Sequence, residues 1–267
     1  MDPRRVGSSE HSERASMLRN KILEKWAQGE AVCGTVLSLG STRSAEICAR
    51  AGFDFLMVDA QHGYFDEQSS TDAIRAIESA GAVPFARVAR NDPGRIGTVL
   101  DAGALGVVVP MVNSREEAEA AVRATYYPPQ GLRSKGGTVA TYYGAGYHAT
   151  ANNLVALVVM VETAHAVENI GEIIRVEGVR ACLIGSGDLA LSLGCGLSDA
   201  PILRAVDAVA AACKTSGTPL GITTGSLSAV ERWRSLGVSF ILVSHDVGAL
   251  CDAMGSLAQR ARAALQG

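Results

Sequence analysis

In the stretch "FDFLMVDAQHGYFD", residues 53–66, an apolar run delivers Asp59 and, three positions later, His62. A carboxylate beside an imidazole can orient the ring and raise its basicity, which is what a general base requires. Arg87 closes another apolar run, "AVPFARV". A guanidinium on a buried kind of strand needs an anion, either a substrate oxyanion or a structural aspartate. Glu162 closes "LVALVVMVE", and Asp188 lies in "GSGDLA" after the next run. Two carboxylates converging on one cavity repel unless a cation sits between them. Carboxylate and water ligands without Cys or His suit Mg²⁺ or Mn²⁺. A plainer reading of the same pair is that each carboxylate caps the helix that follows it, Asp188 at the start of "DLALSLG" above all. Asp101, in "VLDAG", is a natural structural partner for Arg87 or His62, and Ser244, His245 and Asp246 close the last apolar run. His11, His148 and His165 fall in lead-in, loop and helix segments and read as surface residues.

Those residues need strands to carry them. Eight short apolar runs alternate with helix-period segments: "AVCGTVLSL", "FDFLMVD", "AVPFARV", "LGVVVPMV", "LVALVVMVE", "RACLIG", "PLGITT" and "FILVSH". Ser114 with Glu117 three positions later predicts a capping box, and Gly52, Gly81, Gly103, Gly178, Gly217 and Gly237 fall where helices must stop. Continuous apolar strands imply burial on both faces, hence a parallel sheet covered by helices. Eight such units predict an α/β fold, a closed (β/α)8 TIM barrel with active residues at the C-terminal strand ends. An open doubly wound sheet would show a Gly-rich turn after its first strand, and "SLGSTRSAE" has one glycine. A helix over 13–30 precedes the barrel, so residues 1–12 read as a flexible lead-in and 13–267 as one barrel domain.

Composition narrows the function. The 267 residues are 48% hydrophobic and 19% charged with a formal net charge of −3, a globular balance without a basic footprint for nucleic acid. No window is long and apolar enough for a membrane span, and the polar opening is no secretory signal. Six scattered cysteines without a C-x-x-C pair indicate reduced thiols in the cytoplasm, with Cys33 and Cys182 acting as small hydrophobes inside strands. One connection is long. The segment "YYPPQGLRSKGGTVATYYGAGYHATANN", between the fourth and fifth strands, is rich in Tyr, Gly and Pro and reads as a packed loop covering the site.

With these residues in hand, the chain resembles the HpcH/HpaI aldolase/citrate lyase family, specifically its metal-dependent (class II) pyruvate aldolases. The resemblance rests on "FDFLMVDAQHG", "ARVARNDPGRIGTVLDAGALGVVVPMVNSREEAEAAVRATYYPPQGLR", "VETAHAVENIGEI" and "VEGVRACLIGSGDLALSLG", within roughly residues 30–225. It implies that Glu162 and Asp188 hold a divalent metal (Mg²⁺, Mn²⁺ or Co²⁺) chelated by pyruvate. Backbone N–H groups around Ser186, Gly187 and Asp188 would receive the substrate carboxylate. Arg87 would face the keto oxygen, His62 oriented by Asp59 would be the base through a water, and Asp101 would support the constellation. The implied reaction joins a pyruvate enolate reversibly to an aldehyde, with no Schiff-base lysine, and the eight runs contain no Lys. The family resemblance further implies a homo-oligomer, a hexamer built as a trimer of dimers, with the C-terminal helix exchanged between subunits.

The sequence departs from the family pattern at Gln61, where an acidic residue is common, at Met160, where Gln is common, and at Ser186, Ala190 and the "GLRS" segment. The first two remove polar groups expected near the metal. Three readings therefore stay open: the aldolase, an oxaloacetate decarboxylase or macrophomate-synthase-like C–C bond-forming enzyme, and a non-catalytic barrel that binds 2-oxo acids. Tyr64 and Phe65 read either as an apolar wall beside the base or as packing under its loop.

Overall fold

The computed structural model describes residues 19–136, 138–225 and 227–266. Eight parallel strands close in chain order into a barrel: β1 (Val32–Leu37), β2 (Phe55–Asp59), β3 (Val83–Arg87), β4 (Gly106–Val109), β5 (Ala156–Val161), β6 (Val179–Ile184), β7 (Leu220–Thr224) and β8 (Val238–His245). Helices α2 (Thr42–Arg50), α3 (Glu67–Ser79), α4 (Pro93–Asp101) and α5 (Arg115–Thr125) follow β1 to β4. After β5 come the short α8 (Ala164–Glu168) and α9 (Ile170–Ile173), and after β6 come α10 (Ser186–Ser192) and α11 (Ala200–Ser216). A 3₁₀ turn at Leu227–Ala229 and α12 (Val230–Ser235) follow β7. The expected architecture is the one observed. β2, β4 and β5 are buried along their whole length, because helices cover their outer face and side chains fill the barrel inside. The six glycines expected at helix ends all take positive φ, from 72° at Gly217 to 105° at Gly103.

The floor of the barrel is set by three phenylalanines. Phe55, Phe85 and Phe240 are fully buried, with ring centroids 4.6–5.8 Å apart. Each ring lies over a glycine on a neighbouring strand in direct register: Gly34 with Phe55, Gly106 with Phe85 and Gly221 with Phe240. A Cβ at any of the three glycines would stand 2.2–2.4 Å from the ring. Below this layer, α1 (Lys21–Ala27) closes the N-terminal end. The buried Asn20 caps α1 through Ile22 N–H (3.0 Å) and donates to the carbonyls of Leu105 (2.9 Å) and Leu154 (2.8 Å).

Four expectations change. The helix placed over 13–30 is confined to Lys21–Ala27 among the described residues, because Asn20 is its cap and Gly29 takes φ 73°; residues 1–18, including the lead-in and His11, lie outside them. The long connection after α5 does not cover the strand ends that carry Asp59 and Arg87. Since α5 returns the chain to the opposite end, the segment and its helices α6 (Thr138–Tyr143) and α7 (Tyr147–Leu154) pack at the barrel floor. There the Tyr143 hydroxyl donates to the Gly103 carbonyl (2.7 Å), at the turn that enters β4, and Tyr147 is buried. Cys33 is exposed while Cys182 is buried. Finally, Ser114 caps α5 through Glu117 N–H (3.3 Å), but Glu117 reaches back to Asn113 N–H (2.6 Å) instead of completing the box.

The last helix, α13 (Asp246–Gln266), leaves the barrel: every residue from Ala249 to Gln266 is exposed. Among the described residues no helix is long and apolar enough to cross a membrane.

The Phe–Gly layer predicts that Gly106→Ala costs about 1–3 kcal/mol in urea denaturation through overpacking. Combining it with Phe85→Leu should recover part of that loss. A recovery of zero would show that the ring is not what the added methyl meets.

Candidate active site

The strand ends converge as the barrel requires. Asp59 and Arg87 end β2 and β3 in direct register. Arg87 grips the carboxylate with two bonds, Nε to Oδ1 at 2.9 Å and Nη2 to Oδ2 at 2.6 Å. The side chains are 13% and 3% exposed, so the pair is almost dry. Oδ1 also accepts the N–H of Gln61 (3.0 Å) and of His62 (3.3 Å). Burial presses the Asp59 pKa upward, but the Arg87 hydrogen bonds and charge and these two amides hold it below the ordinary carboxylate value.

This corrects the expected carboxylate–imidazole dyad. Asp59 spends its oxygens on Arg87 and on backbone amides, so it fixes the turn carrying His62 and leaves the ring free. Asp101 partners neither Arg87 nor His62. It ends α4, which runs down the barrel to the opposite face, and there accepts from Arg133 Nη2 at 2.7 Å. Arg133 is itself buried beside Tyr127 and Tyr147. His148 is half-buried between the same two tyrosines with Nε2 3.1 Å from the Gly136 carbonyl, so it is no free surface residue, whereas His165 is exposed. Of the two aromatics after the base, Phe65 is buried packing and Tyr64 is 84% exposed.

Glu162 follows β5 and is 1% exposed. Its Oε1 accepts the N–H of Met111 at 2.6 Å, a residue held at φ 56° to present that amide. Its Oε2 is buried and has no hydrogen-bond partner. Burial raises the Glu162 pKa, opposed by the Met111 amide; the nearby Asp188 charge raises it further, and Arg87 and His62 oppose. Glu162, Asp188, Arg87 and His62 thus feel one another across a single space at the C-terminal rim. Gly185 keeps that space open, since a Cβ there would lie 2.4 Å from Oε2.

Neither carboxylate is a helix cap. Thr163 caps α8, and Asp188 is exposed in the first turn of α10, whose cap Gly185 offers no side chain. A buried carboxylate oxygen without a donor, facing a second carboxylate, fits a hard divalent cation, which supplies the missing positive charge. Among the described residues no cluster of three or more His, Cys, Asp or Glu could hold a metal. Two carboxylates, Glu162 and Asp188, are what the rim offers at this place. The departures sit at the same place: Met160 is buried with its methyl near Gly185, and Gln61 Oε1 is buried without a partner. Neither the orphaned Glu162 oxygen nor the strained Met111 could be foreseen, since both arise from the β4–α5 loop crossing to β5.

The fold and rim define a (β/α)8 barrel enzyme with a paired-carboxylate site at its C-terminal end. The family model for HpcH/HpaI aldolase/citrate lyase matches residues 34–253, and the chain belongs to that family. It is 36% identical over 249 residues to a hydroxypyruvate/pyruvate aldolase of Rhizorhabdus wittichii, covering 91% of this chain and 99% of that one. It is 34% identical over 249 residues to a 4-hydroxy-2-oxo-heptane-1,7-dioate aldolase of Escherichia coli, covering 91% and 95%. A crystal structure of a family protein from Burkholderia cenocepacia J2315 superposes with a TM-score of 0.87 at 34% identity, covering 91% and 99%. The protein is a carbon–carbon lyase of the aldolase type.

The Asp59–Arg87 pair sets a pH signature. Because the folded pKa of Asp59 lies below its unfolded value, its stabilisation is complete above the ordinary carboxylate range and is lost as pH falls through the depressed value. Asp59→Asn should cost on the order of 3–5 kcal/mol at neutral pH, the penalty for stranding a buried Arg. The gap to wild type should narrow as pH falls below the ordinary carboxylate range and through the depressed Asp59 value, as read by urea melts across pH.

Proposed function

We propose that this enzyme is a divalent-metal-dependent aldolase that forms the enolate of pyruvate and joins it reversibly to an aldehyde, giving a 4-hydroxy-2-oxo acid. The observation that carries the reading is the buried Glu162 oxygen left without a donor opposite Asp188. These two residues hold the metal, Mg²⁺ or Mn²⁺ by their hard oxygen donors. When bound, it supplies Lewis-acid stabilisation of negative charge developing on the keto oxygen.

The chain's own groups do the rest. Arg87 has its Nε N–H and one Nη2 N–H committed to Asp59, so Nη1 and the second N–H of Nη2 are left to donate to the keto oxygen, from a guanidinium that cannot swing. A fixed donor aimed at developing charge needs no reorganisation as the proton leaves. The first-turn N–H groups of Ser186, Gly187 and Asp188 are not taken by any capping side chain and receive the substrate carboxylate. His62, exposed on the turn that Asp59 holds, removes a proton from C3 of pyruvate, through a water, in the condensing direction. In cleavage it takes the proton of the C4 hydroxyl as the C3–C4 bond breaks. None of the eight strands carries a lysine, which favours an enolate over a Schiff-base route.

Asp101 lies at the far end of its own barrel, so it can support a site only across a subunit contact. α13, exposed from Ala249 onward and bearing Leu250, Met254 and Leu257 at 50–55% exposure, favours a homo-oligomer in which that helix packs on another copy, with a hexamer as the assembly.

Deuterium exchange into the pyruvate methyl group, followed by NMR, tests the reading. Metal-stripped protein should be inert, and Mg²⁺ or Mn²⁺ should restore exchange. His62→Ala should lose about 10²–10⁴-fold in rate while keeping its thermal stabilisation by metal. Equal exchange with and without metal would remove the metal, and a fully active His62→Ala would remove the base. Glu162→Gln should abolish the metal response yet raise the melting temperature of metal-free protein by about 2–4 °C, because it removes an uncompensated buried charge. A lower melting temperature would mean that the charge is already compensated.

A further inference from the structure

Ser244, His245 and Asp246, which close β8, take no part in the chemistry above. Yet Asp246 is 6% exposed and heavily engaged. Its Oδ1 accepts the N–H of Ser38 (2.8 Å) and of Val247 (2.9 Å). Its Oδ2 accepts the N–H of Leu39 (3.2 Å) and the hydroxyl of Ser44 (3.2 Å). Ser38 and Leu39 begin the loop between β1 and α2, which crosses the C-terminal rim, and Ser44 lies in the first turn of α2. One carboxylate therefore ties the end of β8 to the start of that loop and to the helix beyond it.

The loop in turn leans on the His62 turn. The Tyr64 N–H donates to the Ser38 carbonyl at 2.9 Å. A Cβ on Gly63 would stand 3.1 Å from Ser38 Cα, and one on Gly40, at φ 66°, would stand 2.4 Å from the Tyr64 carbonyl oxygen. The two loops thus touch backbone to backbone, with no side chain between them to absorb a shift. A continuous line runs from the Asp246 carboxylate through the Ser38 and Leu39 amides and the Ser38 carbonyl to Tyr64, two residues from His62. Asp59 holds the His62 turn from the strand side, and this line holds it from the opposite side.

The turn that delivers Asp246 is itself unusual. Ser244 takes φ 59°, a conformation that side chains other than glycine rarely adopt, and Thr35 donates to its carbonyl (3.3 Å). His245 Nδ1 accepts the N–H of Gly248 at 2.7 Å. His245 therefore helps cap α13, leaving the Asp246 carboxylate to face the loop. The donor set demands a carboxylate: an Asn would turn its N–H₂ donors toward Leu39 N–H and the Ser44 hydroxyl, or toward Ser38 and Val247 N–H.

We propose that Asp246 is a positioning residue for the aldol reaction: it fixes the loop after β1 and, through Ser38 and Tyr64, the turn that presents His62. The catalytic half of this proposal rests on the function proposed above.

The test compares full-length wild type with Asp246→Asn, Asp246→Ala and a stability control, Asn20→Ala, which loosens the barrel floor far from the rim. Two readouts are taken: amide hydrogen exchange by mass spectrometry and metal-dependent deuteration of pyruvate. Asp246→Ala should speed amide exchange in peptides covering both 37–41 and 61–65. It should also slow pyruvate deuteration at saturating substrate by about 10–100-fold, the scale of lost outer supports, with the half-saturating Mn²⁺ concentration unchanged. Asp246→Asn should fall between the two, and Asn20→Ala should melt earlier while deuterating pyruvate at the wild-type rate. Wild-type turnover in Asp246→Ala would overturn the proposal. So would loosening confined to 37–41, or a loss in Asn20→Ala that tracks its melting temperature. An inert wild type would overturn the aldolase reading and with it the catalytic half; an active wild type beside an unaffected Asp246→Ala overturns the proposal alone.

Discussion

A two-bond ion pair between adjacent strands, Asp59 with Arg87, is the contact on which the C-terminal rim depends. It joins β2 to β3 in register, collects the amides of Gln61 and His62, and fixes the direction of the Arg87 guanidinium. Desolvating both charges is expensive, and the geometry is what offsets that cost: two parallel hydrogen bonds and two further donors satisfy the carboxylate. A pair so completely satisfied is held from swinging. It behaves as a rigid bracket between two strands.

Glu162 is arranged in the opposite sense. It is equally buried but meets one backbone amide and no cation, so its charge is left uncompensated beside that of Asp188. The contrast between these two buried carboxylates, one ending β2 and the other following β5, organises the rim. One is closed off by protein and serves shape; the other keeps an oxygen without a protein donor, the feature on which the proposed metal binding rests. Met111, held in a left-handed backbone conformation to reach Glu162, marks where backbone strain is spent on that openness.

Much of this was legible in the residues themselves. Apolar runs too continuous for a half-exposed sheet announced parallel strands, and the glycines that end the helices marked the returns, so the barrel followed from local chemistry. The strand-end positions of Asp59, Arg87 and Glu162 followed from the same pattern. Partner choice did not. Whether Asp59 turns to His62 or to Arg87 depends on the registered pairing of β2 with β3, and periodicity says nothing about that. Asp101 read as a structural partner for Arg87 or His62, and the family resemblance implied a supporting role at the site, but a helix of nine residues carries it to the other end of the barrel. The tyrosine-rich connection misled for the same reason: its composition spoke of packing, and only the direction of α5 tells which end it packs against. Asp246 carried no signal beyond its place after β8, since its four donors come from loop and helix-turn backbone and one hydroxyl.

The chain's longest connection is thus placed at the floor, around Tyr143, Tyr147 and the Phe–Gly layer, while short loops build the rim. The two ends answer to different selective demands. Changes in the loops around Ser38 or Tyr64 reshape the rim without disturbing the closure of the barrel. At the floor, each phenylalanine and its glycine must drift together or not at all. Such a division lets new substrate preferences evolve on a scaffold whose folding is secured elsewhere.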